Sequence, residues 1–349
     1  MTTMIEHPES GNREAHRLWP APDAGLPPEL VPADCRREAP IDWQAGPEPD
    51  LWTASLELGD LEAGLLCVPS LILVDDGVRA QAMELRWEAS GALPLSPIRI
   101  DPGADPLGEP GTLDTRTTPG GSVTGGYDCF ETRTPVSGAE LRLQLTTRDG
   151  APPRVGLLLG MRPRQLVVED DGATAPELEA PCLSQMCLDA AIARHVCSPL
   201  SVAMVLGRMG IATDPEAFAR STEHPDHRRL FGMWPLNLAR AWRAGAAGVI
   251  RVFTRPAEVA ALLAAGHPVV ASIRFQEGAL PGAPLPRTGG HLVVLLGMDA
   301  DGIRVNDPAA PDDASVRRRY DRRAFLQAWL ADRGVGYVLW QRSATAEVP

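Results

Sequence analysis

The stretch Ala193-Arg-His-Val-Cys-Ser-Pro-Leu-Ser-Val-Ala-Met-Val-Leu-Gly-Arg-Met-Gly210 reads as a loop that delivers one cysteine, Cys197, to the first turn of a buried helix. Pro199 suits a first turn, where its missing N–H costs nothing. Leu200, Val202, Ala203, Met204, Val205, Leu206 and Met209 make the segment apolar on nearly all sides. That predicts a helix packed in a core, with Gly210 as its stop. A thiol at a helix N-terminus lies in the positive end of the macrodipole beside unpaired N–H groups, and both favour the thiolate. Thiolate is the nucleophilic form, so the position suits a cysteine hydrolase. The competing reading is a small residue of a core helix, and the rest of the chain has to decide between them.

Working outward, 349 residues leave room for two domains, each with its own core. The formal net charge of −12 argues against nucleic acid or an anionic membrane as the main partner. Every long basic side chain is arginine, which excludes any lysine-dependent chemistry. The six cysteines (Cys35, Cys67, Cys129, Cys182, Cys187, Cys197) have neither the spacing of a disulfide framework nor the close pairs of a metal site. No metal and no cofactor are therefore expected. The N-terminus lacks the basic patch and apolar run of a signal peptide. No apolar run reaches the roughly 18 residues of a membrane span. The expectation is a soluble cytoplasmic protein.

Upstream of the cysteine helix the chain divides in two. Residues 1–48, rich in Pro, Glu, Asp and Arg, read as an extended or poorly ordered arm whose Leu18, Trp19 and Trp43 dock on the body. From 49 to 168, short apolar or alternating runs separated by Gly, Pro and Asp clusters predict seven strands. These are Leu51–Leu58, Gly64–Val74, Val78–Glu88, Leu93–Ile100, Tyr127–Pro135, Leu141–Thr147 and Val155–Met161. Val78–Trp87 and Leu141–Leu145 alternate at period two, marking strands with one wet face. The pattern suggests a β-sandwich of jelly-roll type, with residues 102–122 as a long loop. It gathers no catalytic side chains, and a glycan or peptide ligand or plain packing are its candidate roles.

An acidic connector at 169–177 places the domain boundary, and from 178 to 349 the character is mixed. Helices are expected from Asp214, around Leu236–Arg243, over Pro256–Ala265 and over Arg322–Leu330 with Asp321 as N-cap. Strands are expected at Pro268–Phe275, His291–Met298, Gly302–Asn306 and Val335–Gln341. Helix first and antiparallel strands after is an α+β layout. His291 opens the apolar strand Leu292-Val-Val-Leu-Leu296, and the next strand ends in Val305-Asn306-Asp307-Pro308. A tight turn at Asp299–Gly302 makes these strands antiparallel neighbours, bringing His291 and Asn306 or Asp307 to one end of the sheet. Period-two alternation sends Asn306 and Asp307 to opposite faces, so only one can orient the imidazole. Gln185, upstream of the helix, is the candidate oxyanion donor together with the Cys197 N–H. His195, two residues before Cys197, is read as structural rather than as the base. His224 and His227, split by Pro225, read as a solvated loop, and His267 as a half-buried residue at a strand start.

Four segments in this order, Pro181-Cys-Leu-Ser-Gln185, His195-Val-Cys-Ser-Pro199, Gly290-His-Leu-Val-Val294 and Val305-Asn-Asp-Pro308, resemble the bacteriocin-processing (double-glycine leader) peptidase-like family of bacteria. Trp234-Pro-Leu-Asn237 and Gly266-His-Pro-Val-Val-Ala-Ser272 resemble segments of its stand-alone members. The resemblance spans about 177–342. It implies a papain-like cysteine peptidase domain behind the all-β sandwich, with Cys197 as nucleophile, His291 as base, Asp307 as orienter and Gln185 in the oxyanion hole. Trp234 and Asn237 are candidates to line the substrate cleft. The implied partner is a peptide or amide substrate. Transporter-linked members place the glutamine closer to the cysteine than Gln185 lies. The double-glycine peptidases are fused to transporters, whereas this sequence shows no membrane or ATPase segment, so leader-peptide specificity is not part of the expectation. Two alternatives share the fold: a silent binding module, and a peptidyl or acyl transferase using the same acyl-enzyme.

Overall fold

Alternating sequence in the first half becomes sheet. The computed structural model describes residues 15–21, 26–88, 91–105, 107, 116–117 and 122–342. Its strands, in chain order, begin with β1 (His16–Trp19), β2 (Cys35–Arg37), β3 (Gln44–Ala45), β4 (Leu51–Leu61) and β5 (Leu65–Leu73). Next come β6 (Val78–Trp87), β7 (Gly91–Pro94), β8 (Ile98–Arg99) and β9 (Arg116–Thr117). The set closes with β10 (Val123–Gly125), β11 (Phe130–Thr132), β12 (Val136–Thr147) and β13 (Val155–Pro163). An outer sheet runs β3-β4-β12-β6-β7, with β8 beside β6, and an inner sheet runs β2-β1-β13-β5-β11-β10-β9. The loop expected at 102–122 lies largely outside the described residues. Residues 16–45 add strands to both sheets, with Leu18 and Trp19 buried and Trp43 half-buried.

The two sheets share one apolar cluster, to which β12 contributes Leu141, Leu143 and Leu145 and the inner sheet Leu71, Leu157 and Leu159. Between those leucines Arg142 and Gln144 are only half-buried, as period two requires of a strand with one wet face. The inner sheet is different. On β5, Cys67 and Leu71 join the cluster under the outer sheet, whereas Leu66 and Val68 join a cluster with the C-terminal half. Burial on both faces is the physical reason for the near-continuous apolar run Leu65-Leu-Cys-Val-Pro-Ser-Leu-Ile-Leu73.

The C-terminal half contains α1 (Cys197–Arg208), α2 (Pro215–Ser221), α3 (Trp234–Ala244), β14 (Ala246–Val252), α4 (Pro256–Ala264) and β15 (Val269–Phe275). These are followed by β16 (Thr288–Met298), β17 (Gly302–Asn306), β18 (Arg317–Asp321), α5 (Arg322–Trp329) and β19 (Val335–Gln341). Asp214 and Asp321 cap α2 and α5 by accepting from Ala217 N (2.7 Å) and Ala324 N (2.8 Å), each worth about 1 kcal/mol. The sheet is antiparallel in the order β14-β19-β15-β16-β17-β18. Both edge strands are absent from the sequence expectation. β14 opens Ala-Ala-Gly, poor strand formers, and β18 reads Arg-Arg-Arg-Tyr-Asp, a charged edge. No helix among the described residues is long and apolar enough to cross a membrane.

The N-terminal half closes the β14 edge. Ile250 N donates to Ser70 Oγ (2.9 Å), and His16 Nε2 donates to the Val252 carbonyl (3.1 Å). The buried Arg162 guanidinium donates to the carbonyls of Phe253 (2.5 Å) and Leu330 (2.7 Å). Backbone groups that an open edge would leave unpaired are thus taken by side chains of the inner sheet. Contact there is close: a Cβ on Gly334, which has φ +58°, would lie 1.9 Å from Arg162 Nη1. The connector after β13 also lies on the C-terminal half, with Ala175 paired to Met298 and Asp170 to Arg322 (2.6 Å).

Candidate active site

β16 is longer than its partner β17, and the difference makes the site. Pairing between them runs from Val294 opposite Asn306 onward. Beyond it, the first turns of α1 take the place β17 would have occupied. Ser201 Oγ donates to the Leu292 carbonyl (3.1 Å), and the Leu292 N–H donates to the Cys197 sulfur. Val196, the N-cap residue, offers no side-chain cap, so no capping side chain takes the N–H groups around Cys197. Cys197 is half-buried, whereas the nine helical residues after it, Ser198 through Leu206, are enclosed.

His291 is 2 % exposed and sits at the point where β16 outruns β17. Its Nε2 lies 2.7 Å from Asp307 Oδ1, and Cys197 is its other hydrogen-bond partner, which leaves Nδ1 for the sulfur. Asp307 Oδ1 also accepts from Ala309 N (2.9 Å), and Oδ2 accepts from the Tyr320 hydroxyl (2.6 Å). The carboxylate therefore has its acceptor sites filled although it is 1 % exposed. Asn306 turns the other way: its Nδ2 donates to the Pro181 carbonyl (2.9 Å) and it anchors the segment leading to Gln185. Asp307, not Asn306, meets the imidazole.

The electrostatics follow from this line of groups. Burial pushes the Cys197 thiol up, but the hydrogen bond and positive charge of His291 outweigh it and hold the thiol below its ordinary value. Burial opposes the charge on His291, and the Asp307 carboxylate and the Cys197 sulfur outweigh that, holding the imidazole well above the histidine range. Asp307 is likewise pushed up by burial and brought below its usual value by His291, Tyr320 and Ala309 N. These shifts favour a thiolate–imidazolium pair backed by a carboxylate.

Gln185 lies in the short 3-10 turn Gln185–Cys187, stitched to the segment after Asp307. Its N–H donates to the Pro308 carbonyl (2.8 Å), and Ser184 N donates to Asp313 Oδ1 (2.6 Å). Gln185 is 5 % exposed with Oε1 lacking a partner, and among the described residues its side chain makes no hydrogen bond to Cys197. Trp234 and Asn237 sit in the core rather than on a cleft wall. Asn237 is fully enclosed, and its Nδ2 donates to the carbonyls of Phe231 (2.8 Å) and Met233 (2.7 Å), so it ties down the entry to α3. His195 is exposed, and the His224 and His227 rings lie 4.7 Å apart, tilted by 33°.

Two neighbours of the site were not legible beforehand. Tyr320 comes from β18, an edge strand whose charged sequence hides it. Tyr337, on β19, is hydrogen-bonded to Ser198 at 2.9 Å, directly after the cysteine. Neither carries a local signal, since a buried tyrosine is usually core.

Residues 177–337 match the model of the Peptidase_C39 like family. The matched span contains Gln185, Cys197, His291 and Asp307 and is similar to papain-like cysteine peptidases. No curated protein and no solved structure matches the chain.

Proposed function

We propose that this protein is a cysteine hydrolase acting on a peptide or amide bond, with Cys197 as nucleophile, His291 as proton carrier and Asp307 as orienter. The observation that carries the reading is the unbroken line from the Cys197 sulfur through the His291 imidazole to Asp307, 2.7 Å from Nε2, at the start of an uncapped helix. The domains are read as a papain-like peptidase over 178–349, akin to the bacteriocin-processing peptidase-like proteins, behind a β-sandwich over 49–168.

The chemistry runs as an acyl transfer through the enzyme. Cys197 thiolate attacks the carbonyl carbon, and the carbonyl π electrons move to oxygen. That oxyanion lies against the first-turn N–H groups of α1, with the Gln185 amide as a second donor. When the tetrahedral intermediate collapses, the C–N bond breaks and the leaving amine takes the proton from His291. The thioester is then attacked by water, whose proton His291 accepts, releasing the acid and restoring the thiolate–imidazolium pair. Asp307 keeps the imidazole ring turned toward the sulfur throughout and favours its charged form.

The direct test is labelling with a thiol-directed, peptide-based electrophile. Wild type is expected to be labelled once, at Cys197, although Cys187 is more exposed. Cys197→Ala abolishes both labelling and hydrolysis. Turnover that persists in this variant would sink the mechanism.

A further inference from the structure

Where β15 and β16 pair beyond His291, a cavity of about 410 Å³ opens, lined among others by Arg164, Arg274, Gln276, Thr288, Gly289 and Gln327. Thr288 pairs with Phe275, and Ile273 pairs with His291, so Arg274 lies on the strand flanking the candidate histidine. Two residues of extended strand, about 7 Å, separate Gly289 from His291. Gly289 and Gly290 have no atoms within 4 Å of where a Cβ would sit, so the rim between cavity and histidine is open.

The charges in and behind this cavity are not balanced. Arg164 is occupied, donating to Glu131 (3.0 Å) and Asp332 (3.3 Å). Arg333, held at φ +66° where side-chain-bearing residues are rare, sends Nη1 to the Cys129 sulfur (3.9 Å). Arg274 makes no hydrogen bond or ion pair among the described residues, and its Nε is buried without a partner. Asp332 and Asp128 are the carboxyls in its field. The first is engaged by Arg164, and the second accepts from Trp234 N at the start of α3 (3.2 Å) and is pushed up to about 6 by burial. A half-buried guanidinium with open donors is costly unless something brings it an anion. In a chain of net charge −12, an arginine left uncompensated in a cavity is against the general field.

We propose that this cavity is a carboxylate-binding subsite in which Arg274 receives an acidic group of the substrate lying within about two residues of the bond attacked. The proposal rests on the hydrolase reading above and names the substrate class, acidic peptides. Arg274 is thus a specificity residue: it touches the substrate, and the bond-making atoms lie at Cys197.

Fluorogenic peptide pairs that differ only by Glu or Gln at each of four positions around the scissile bond test this. Wild type is expected to favour Glu by about tenfold in kcat/KM at one position, the scale of one charged hydrogen-bonded pair. Arg274→Gln is expected to bring that ratio close to one, and Arg274→Lys to keep part of it. A second arm measures, by calorimetry, binding of the same pairs to Cys197→Ser with Arg274 intact, which needs no turnover. Equal kcat/KM within every pair, or a preference that survives Arg274→Gln, overturns the subsite and leaves the hydrolase standing. Tighter binding of a Glu peptide to Cys197→Ser that is lost on adding Arg274→Gln, without cleavage of any pair by wild type, keeps the subsite and overturns the hydrolase. Absence of both cleavage and a Glu-over-Gln difference in binding overturns the subsite.

Discussion

Two buried histidines, one in each half, each face an aspartate, and they differ in what the second ring nitrogen meets. His16 is fully enclosed, with Nδ1 3.1 Å from Asp34 Oδ1 and Nε2 donating to the Val252 carbonyl (3.1 Å). His291 has Nε2 2.7 Å from Asp307 Oδ1 and a thiol on its other side. A carbonyl can only accept, so His16 is fixed as a donor bridging two halves of the protein. A thiol can give up its proton, so at His291 the same pairing favours a charge-separated couple. The lesson is that a His–Asp pair is not a site; the third partner makes it one. At Asp307 the remaining acceptor positions are filled by Ala309 N and the Tyr320 hydroxyl, so its charge is directed along the line to sulfur.

Exchanging each imidazole for a methyl group separates the two roles most sharply. His291→Ala is expected to lower kcat/KM by about three to four orders of magnitude with little change in melting temperature, by analogy with removal of the base from a catalytic triad. His16→Ala should do the reverse, keeping the rate per folded molecule while lowering stability by about 2–4 kcal/mol, since it leaves a cavity and an unpaired Val252 carbonyl. Thermal melts alongside kinetics on both variants check this. A large fall in rate for folded His16→Ala would erase the distinction.

The next effect is on pH dependence. The Cys197 thiol is held low and the His291 imidazole high, so the rate should rise with pH as the thiol ionises and fall as the imidazolium is lost. The plateau should therefore be wider on both sides than the ordinary values of the two groups would allow. Asp307→Asn removes the charge that raises His291, so its alkaline limb is expected to move to lower pH, with a lower maximum. An unmoved alkaline limb would mean that Asp307 does not govern the imidazole. Tyr320→Phe is the smallest change: one hydrogen bond to a buried carboxylate is lost, worth about 1.5–3 kcal/mol to the charged form. Asp307 then keeps its proton to higher pH, so the acid limb should shift upward and the maximum should fall about tenfold. A pH profile identical to wild type would make Tyr320 part of the packing alone.

Local elements were legible to the extent that their signals are local. The strand pair carrying His291 and Asp307 follows from an apolar run, a tight turn and a second run, all within twenty residues, and β17 falls at Gly302–Asn306 as expected. Asp321 as a cap and Gly210, with φ +77°, as a helix stop are equally local. Trp234 and Asn237, expected at a cleft, lie in the core because an asparagine in the first turn of a helix serves the chain entry as readily as a ligand. β14 stayed hidden because Ala-Ala-Gly becomes strand only when β19 pairs with it on one side and Ser70 meets it on the other. Tyr320 was hidden for the same reason, its role depending on the register of β18.

What the sequence determined alone is the cysteine at a helix start, the histidine on an apolar strand and the Asn306-Asp307 pair at the end of the next strand, because capping and periodicity act over a few residues. Which of Asn306 and Asp307 meets the imidazole was decided by the tertiary structure, through the Ala180–Pro181 segment that claims Asn306. Tertiary packing also decided that the inner sheet closes the β14 edge, through Arg162 and His16 reaching partners 91 and 236 residues away. Contacts of that span depend on how whole sheets stack, and no short window of sequence contains both partners.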